Sequence, residues 1–126
     1  MATVSELEAR ARDWIDAWNA HDLDRILALY ADDCVMVSPN IAGHGLALSG
    51  VLHGKAALRA YWRIALERQP DLHFDLLDIY ASPDSVVLRY RNQHGREVCE
   101  FLRFNPTGLI LQGAANHKAE AIAGEA

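Results

Sequence analysis

The sequence predicts an α+β domain, with three helical segments between residues 7 and 69, a short strand among them, and strand alternation in the segments behind. Two observations carry that reading. Leu7, Ala11, Trp14, Ile15 and Trp18 recur at i, i+4, i+7, i+8 and i+11, which places one apolar stripe on a long first helix. Beyond Pro70, four apolar-alternating runs follow at about 72–81, 85–92, 96–105 and 109–117.

Each element has a local reason. Asp22 is placed to cap a second helix by accepting a bond from an orphan amide, and Leu23, Ile26, Leu27 and Tyr30 continue the helical spacing behind it. Residues 34–38 read as a short strand that Pro39 ends. Residues 40–53, with Gly43, Gly45 and Gly50 among Leu46, Leu48, Val51 and Leu52, read as a long loop bordering a site. A third helix over 54–69 presents Leu58, Tyr61, Trp62 and Ala65 and stops before Pro70.

The strands carry two finer expectations. Leu72, Phe74 and Leu76 share one face but Leu77 and Ile79 share the other, so a bulge near Leu76–Leu77 should bend the sheet. Gln93-His94-Gly95 reads as a three-residue hairpin loop, pairing Arg91 with Glu97, Tyr90 with Val98 and Leu88 with Glu100. A two-residue turn would set Glu100 opposite Arg89. The first register is preferred because it gathers Arg89, Arg91, Glu97 and Arg103 on the wetter face.

Size and composition narrow the class. A chain of 126 residues, about half of them apolar, suits one domain over 1–126. A net charge of −5 with scattered cations argues against a nucleic-acid surface. No apolar run approaches the ~20 residues of a membrane span. The opening MATVSELEARARD is acidic and polar, unlike a secretory signal. Cys34 and Cys99, in apolar strand patterns, read as reduced, buried residues of a cytoplasmic protein, with a disulfide between them left open. The histidines lack a tight ligand spacing, so no metal is expected at His44 or His53. His21, His73 and His94 read as surface or turn residues.

The order of elements, and above all residues 14–39, WIDAWNAHDLDRILALYADDCVMVSP, resembles the NTF2-like superfamily, especially its SnoaL-like and ketosteroid isomerase-like members. The resemblance implies a cone: a curved, mostly antiparallel sheet wrapped around three helices of the N-terminal half, with one apolar pocket. It also implies a homodimer through the open sheet face, where Phe101 and Cys99 lie. Ketosteroid isomerase-like members keep a tyrosine, an aspartate and a late acidic residue in the pocket. Those positions fall here on Trp14, Ser38 and Glu100, so the usual steroid chemistry is not expected.

Glu100 is then the leading acid/base candidate, with His117 beside it on the next strand. A carboxyl on an apolar face should be protonated or paired, so a structural role bonded to Trp14, Tyr90 or Arg89 stands as the alternative. Trp14, Trp18, Tyr30, Met36, Ser38, Tyr61, Trp62, Leu88, Tyr90, Leu102, Phe104 and Ala115 are the expected ligand-lining residues. The expected ligand is small and apolar with a carbonyl or hydroxyl. If the protein is an enzyme, the chemistry is proton transfer of the isomerase, cyclase, dehydratase or epoxide hydrolase type and calls for no cofactor. The rival reading is a non-catalytic ligand-binding or dimerisation module of the same fold.

Overall fold

The computed structural model describes residues 2–43 and 49–120. Helix α1 spans Val4–Asn19, with the Thr3 side chain accepting the Glu6 amide at 3.1 Å. Helix α2, Leu23–Ala28, is capped by Asp22, whose carboxylate accepts the Arg25 amide at 3.1 Å as the sequence implies.

Strand β1 runs Tyr30–Val37 and is longer than the expected 34–38. Tyr30 opens this strand instead of closing the second helix. Its partner is Ile110, whose amide bonds the Leu29 carbonyl at 2.8 Å. Tyr30 is buried in either role, so apolar spacing could not separate them.

The 40–53 segment is not one loop. A short helix α3 spans Pro39–Gly43 and a strand β2 spans Val51–His53. Ser38 starts α3: its Oγ accepts the Asn40 amide at 3.2 Å and its carbonyl accepts that of Ile41. A capping serine followed by proline at the first helical position is the signal the sequence carried there. Residues 44–48, including His44, Gly45, Leu46 and Leu48, lie outside the described residues. Helix α4, Lys55–Arg68, then matches the expected 54–69. With α3 the helices number four among the described residues, against the three expected.

Strands β3 (Asp75–Ser82), β4 (Ser85–Arg91), β5 (Glu97–Phe104) and β6 (Ile110–His117) complete a curved six-stranded sheet in the order β2-β1-β6-β5-β4-β3. Among the described residues only the β1–β6 pair is parallel. The β3–β4 register shifts between Leu76 and Asp78, the bulge that the phase switch demands. The β4–β5 register is Arg91↔Glu97, Tyr90↔Val98 and Leu88↔Glu100, as the three-residue loop requires. Gly95 in that loop has φ +75°, a conformation that any Cβ would strain.

Period-2 alternation now has a physical meaning. Val86, Leu88, Tyr90, Val98, Glu100, Leu102 and Phe104 are all buried on the inner face, which α1 and α4 cover. Both cysteines are free: Cys34 is buried, whereas Cys99 is half-buried on the outer face. Among the described residues, no helix is long and apolar enough to cross a membrane.

Candidate functional site

The inner face of the sheet and the helices above it border a half-open cavity of about 110 Å³. Its walls are aromatic because α1 and α4 each present rings at helical spacing toward the same strands. Trp14 stacks on Phe74 at 5.8 Å, and Phe74 meets Tyr90 at 4.3 Å. Trp62 packs on Tyr30 at 4.9 Å and stands edge-on to Trp18 at 5.2 Å. Asn19 holds Phe74 in place from both sides. Its Nδ2 donates to the Phe74 carbonyl at 2.9 Å and its Oδ1 accepts the Phe74 amide at 2.7 Å.

Glu100 lies in this wall and is only 2 % exposed. Tyr90 donates to Oε1 over a long 3.4 Å, while Oε2 has no hydrogen-bond partner among the described residues. Gly113 on β6 makes room for it: an added Cβ would lie 3.0 Å from Met36 Sδ and 3.9 Å from Glu100 Oε2. Burial raises the Glu100 carboxyl to about 8, and the weak Tyr90 bond offsets that only in part. Burial also raises Tyr30 and Tyr90 well above the ordinary phenol range, with Glu100 adding to both. Trp14 donates to the Tyr30 hydroxyl at 2.9 Å and does not bond Glu100. Arg89 is also not its partner, since it pairs with Glu97 on the outer face. Of Trp14, Tyr90 and Arg89, the expected structural partners of Glu100, Tyr90 alone reaches it.

A second polar group closes the β1 side of the cavity. The Tyr61 hydroxyl is within hydrogen-bonding reach of Ser38, and burial pushes Tyr61 to about 12. Trp18 Nε1 is also buried without a partner among the described residues. At the rim stand Asn40, Gln69, Asn92 and Gln93, with Gln93 Nε2 donating to Gln69 Oε1 at 2.7 Å. His117 lines the cavity from the end of β6, half-buried. The register sets Glu100 opposite Ala115 and His117 opposite Val98, so the acid and the imidazole are diagonal neighbours.

Most residues expected at the site converge on this cavity: Trp14, Trp18, Tyr30, Met36, Ser38, Tyr61, Trp62, Tyr90, Glu100, Ala115 and His117. Leu88 and Leu102 do not border it. They lie on the same face but are fully enclosed in the core. Phe104 is at the far end of the sheet, with Arg10 5.1 Å above its ring. Strand alternation identifies a face, not a depth along it, so it cannot separate these three from the lining residues. Phe74 was missed although it shares a face with Leu72, and Gln69 and Gln93 carry no local signal because they meet only through folding. His21 is more than a surface residue: with φ +54°, its Nε2 lies 2.7 Å from the Leu72 carbonyl and ties the α1–α2 turn to the segment before β3. Among the described residues no group of three His, Cys, Asp or Glu is placed to hold a metal ion.

A curved mixed sheet with helices over its concave face and a polar-floored cavity between them defines an NTF2-like cone. The model of the SnoaL-like domain matches residues 11–113, and the chain belongs to that family. A SnoaL-like protein of unknown function from Burkholderia thailandensis is 43% identical, over 93% of this chain and 98% of that one, with a TM-score of 0.88. An NTF2-like protein of unknown function from Burkholderia pseudomallei is 20% identical over 92% of this chain and 94% of that one, with a TM-score of 0.70. A putative polyketide cyclase from Sinorhizobium meliloti, 14% identical over 91% of this chain and 100% of that one, shares the fold with a TM-score of 0.72. Comparison with curated protein sequences finds no match.

Proposed function

We propose that this protein binds a small, largely apolar molecule in the inner cavity and moves a proton on it, with Glu100 as the acid. One observation carries the reading: a buried carboxyl with an unpartnered Oε2 lines an aromatic cavity. A structural carboxyl is normally bonded on both oxygens, because a bare one in an apolar site costs about 1–3 kcal/mol or more. A group titrating near 8 holds its proton at neutral pH and can deliver it to a ligand oxygen. In this reading His117, diagonal to Glu100 on the next strand, is the group that returns that proton. Proton transfer of this kind serves isomerisation, cyclisation, dehydration or epoxide opening, and the putative polyketide cyclase among the fold's relatives is consistent with it. The rival is a binding or dimerisation module that does no chemistry. Titration of Glu100 by carbon-13 NMR, with mass spectrometry of whatever co-purifies, separates the two. A midpoint near 8 and a small oxygenated ligand support the proposal, whereas an ordinary carboxylate midpoint overturns Glu100 as the acid.

We also propose a homodimer through the outer sheet face. The pairings align Tyr80, Val87, Phe101, Ala114, Val37 and Val51 in one row across all six strands. Tyr80 is 56 % exposed and the row lies beside Arg89 and Arg103. A continuous apolar strip of this kind is an association surface. Sedimentation showing only monomer at micromolar concentration overturns it.

A further inference from the structure

Two tryptophans one helical turn apart on α1 meet different fates. Trp14 and Trp18 share the inward face of the helix, and both line the cavity. The Trp14 indole N–H donates to the Tyr30 hydroxyl at 2.9 Å. Trp18 is 6 % exposed, and its Nε1 finds no acceptor among the described residues. The rings packed on it are Trp14 at 6.1 Å, Trp62 at 5.2 Å and Phe74 at 5.9 Å. All three line the cavity as well, and none of them carries an oxygen. A ring face takes an N–H only weakly.

For packing alone, phenylalanine would fill position 18 without burying a donor. A buried N–H with no partner is destabilising, and tryptophan normally finds one. The indole nitrogen is a donor only and carries no charge. The rings beside it disfavour a carboxylate, which would lose its hydration there. A neutral carbonyl or ether oxygen meets both conditions, whereas a hydroxyl would leave its own proton unplaced. Position matters too. Glu100 reaches the cavity from the sheet, and Trp18 from the helix laid over β3 and β4. The two buried side-chain atoms without partners among the described residues, Glu100 Oε2 and Trp18 Nε1, thus belong to opposite layers of the cavity.

We infer that Trp18 Nε1 is a second binding point of the cavity, on its helix side, and takes a neutral carbonyl or ether oxygen of the ligand. This rests on the cavity being the ligand site proposed above. It gives the ligand an acceptor facing α1 in addition to the oxygen that Glu100 serves, and it disfavours ligands whose α1-facing edge is hydrocarbon or anionic.

The test compares acetophenone with α-methylstyrene, which has the same shape but a methylene in place of the carbonyl oxygen. Both are titrated into wild type and into Glu100→Leu, which removes the competing donor on the sheet. The readout is the Trp18 indole N–H signal in proton–nitrogen NMR, identified by its loss in Trp18→Phe. Acetophenone should move that signal downfield in at least one of the two proteins, and α-methylstyrene should not. Trp18→Phe added to that protein should weaken acetophenone about 3- to 10-fold more than α-methylstyrene, the worth of one neutral hydrogen bond. Acetophenone that shifts the Met36 and Ala115 methyl signals but leaves the indole signal in place in both proteins overturns the inference and leaves the cavity as a ligand site. Equal shifts from the two probes, or equal weakening of both by Trp18→Phe, overturn it too, since they report ring contact alone. If neither probe moves any cavity signal, the ligand-site reading fails with it. Where Glu100→Leu does not fold, wild type decides. Where Trp18→Phe does not fold, the indole shift decides, assigned from through-space contacts to Trp62 and Phe74.

Discussion

Two glutamates three residues apart on β5 show opposite chemistry. Glu97, on the outer face, pairs with Arg89 and lies 3.9 Å from Lys118, and these cations hold its carboxyl below the usual range. Glu100, on the inner face, has among the described residues no cation partner and one long hydrogen bond, and its carboxyl is raised to about 8. Strand alternation alone assigns them to opposite faces, and the dielectric on each face does the rest. One face of the sheet stabilises charge and the other rejects it, so the proton-holding group is where a ligand can reach and water is scarce.

The largest effect expected from that contrast is a pH dependence. Glu100 binds its proton more tightly folded than unfolded, so the native state carries the extra proton between about pH 4.5 and 8. Stability should fall as pH rises through that window and level off above it, by up to about 5 kcal/mol. Glu100→Gln should flatten the curve in urea unfolding measured at pH 5, 6.5 and 8. A wild-type curve already flat there would break the comparison.

Next comes packing on the two faces. Leu102→Ala, fully buried on the inner face, should cost about 2–5 kcal/mol by leaving a cavity. Phe101→Ala beside it on the half-buried outer face should cost the monomer much less, and should weaken the proposed dimer instead. Thermal unfolding and sedimentation on the same pair of variants separate these outcomes.

Asn19→Ala should cost about 1–3 kcal/mol, because the Phe74 amide and carbonyl lose their clamp. It should also loosen the aromatic wall, visible as sharper Phe74 ring resonances. The smallest effect belongs to Glu97→Gln. Its pair is half-exposed, so the change in melting temperature should be slight and should fade with added salt. Glu97 also has the opposite sign to Glu100: it stabilises above about pH 4.5 and is lost as acid protonates it.

Much of this was legible in the chain. The apolar stripe from Leu7 to Trp18, the Asp22 cap, the Leu76–Leu77 phase switch and the hairpin register at Gly95 are all local patterns, and the structure contains each of them. They follow from covalent geometry: a helix turns every 3.6 residues, a strand alternates every two, and a left-handed turn favours glycine. Glu100 stood out for the same reason, as a charge on an apolar face.

The tertiary structure decided what no local pattern encodes. Tyr30 is a strand residue because Ile110, eighty positions away, pairs with it. The Tyr61–Ser38 contact and the Gln69–Gln93 bond join segments that meet only in the folded chain. Depth along a face is of the same kind, and it leaves Leu88 and Leu102 in closed core while Tyr90 and Glu100 line the cavity. Sequence periodicity reports which way a side chain points. How far it lies from open space depends on the curvature of the sheet and the helices laid across it, which only long-range packing sets.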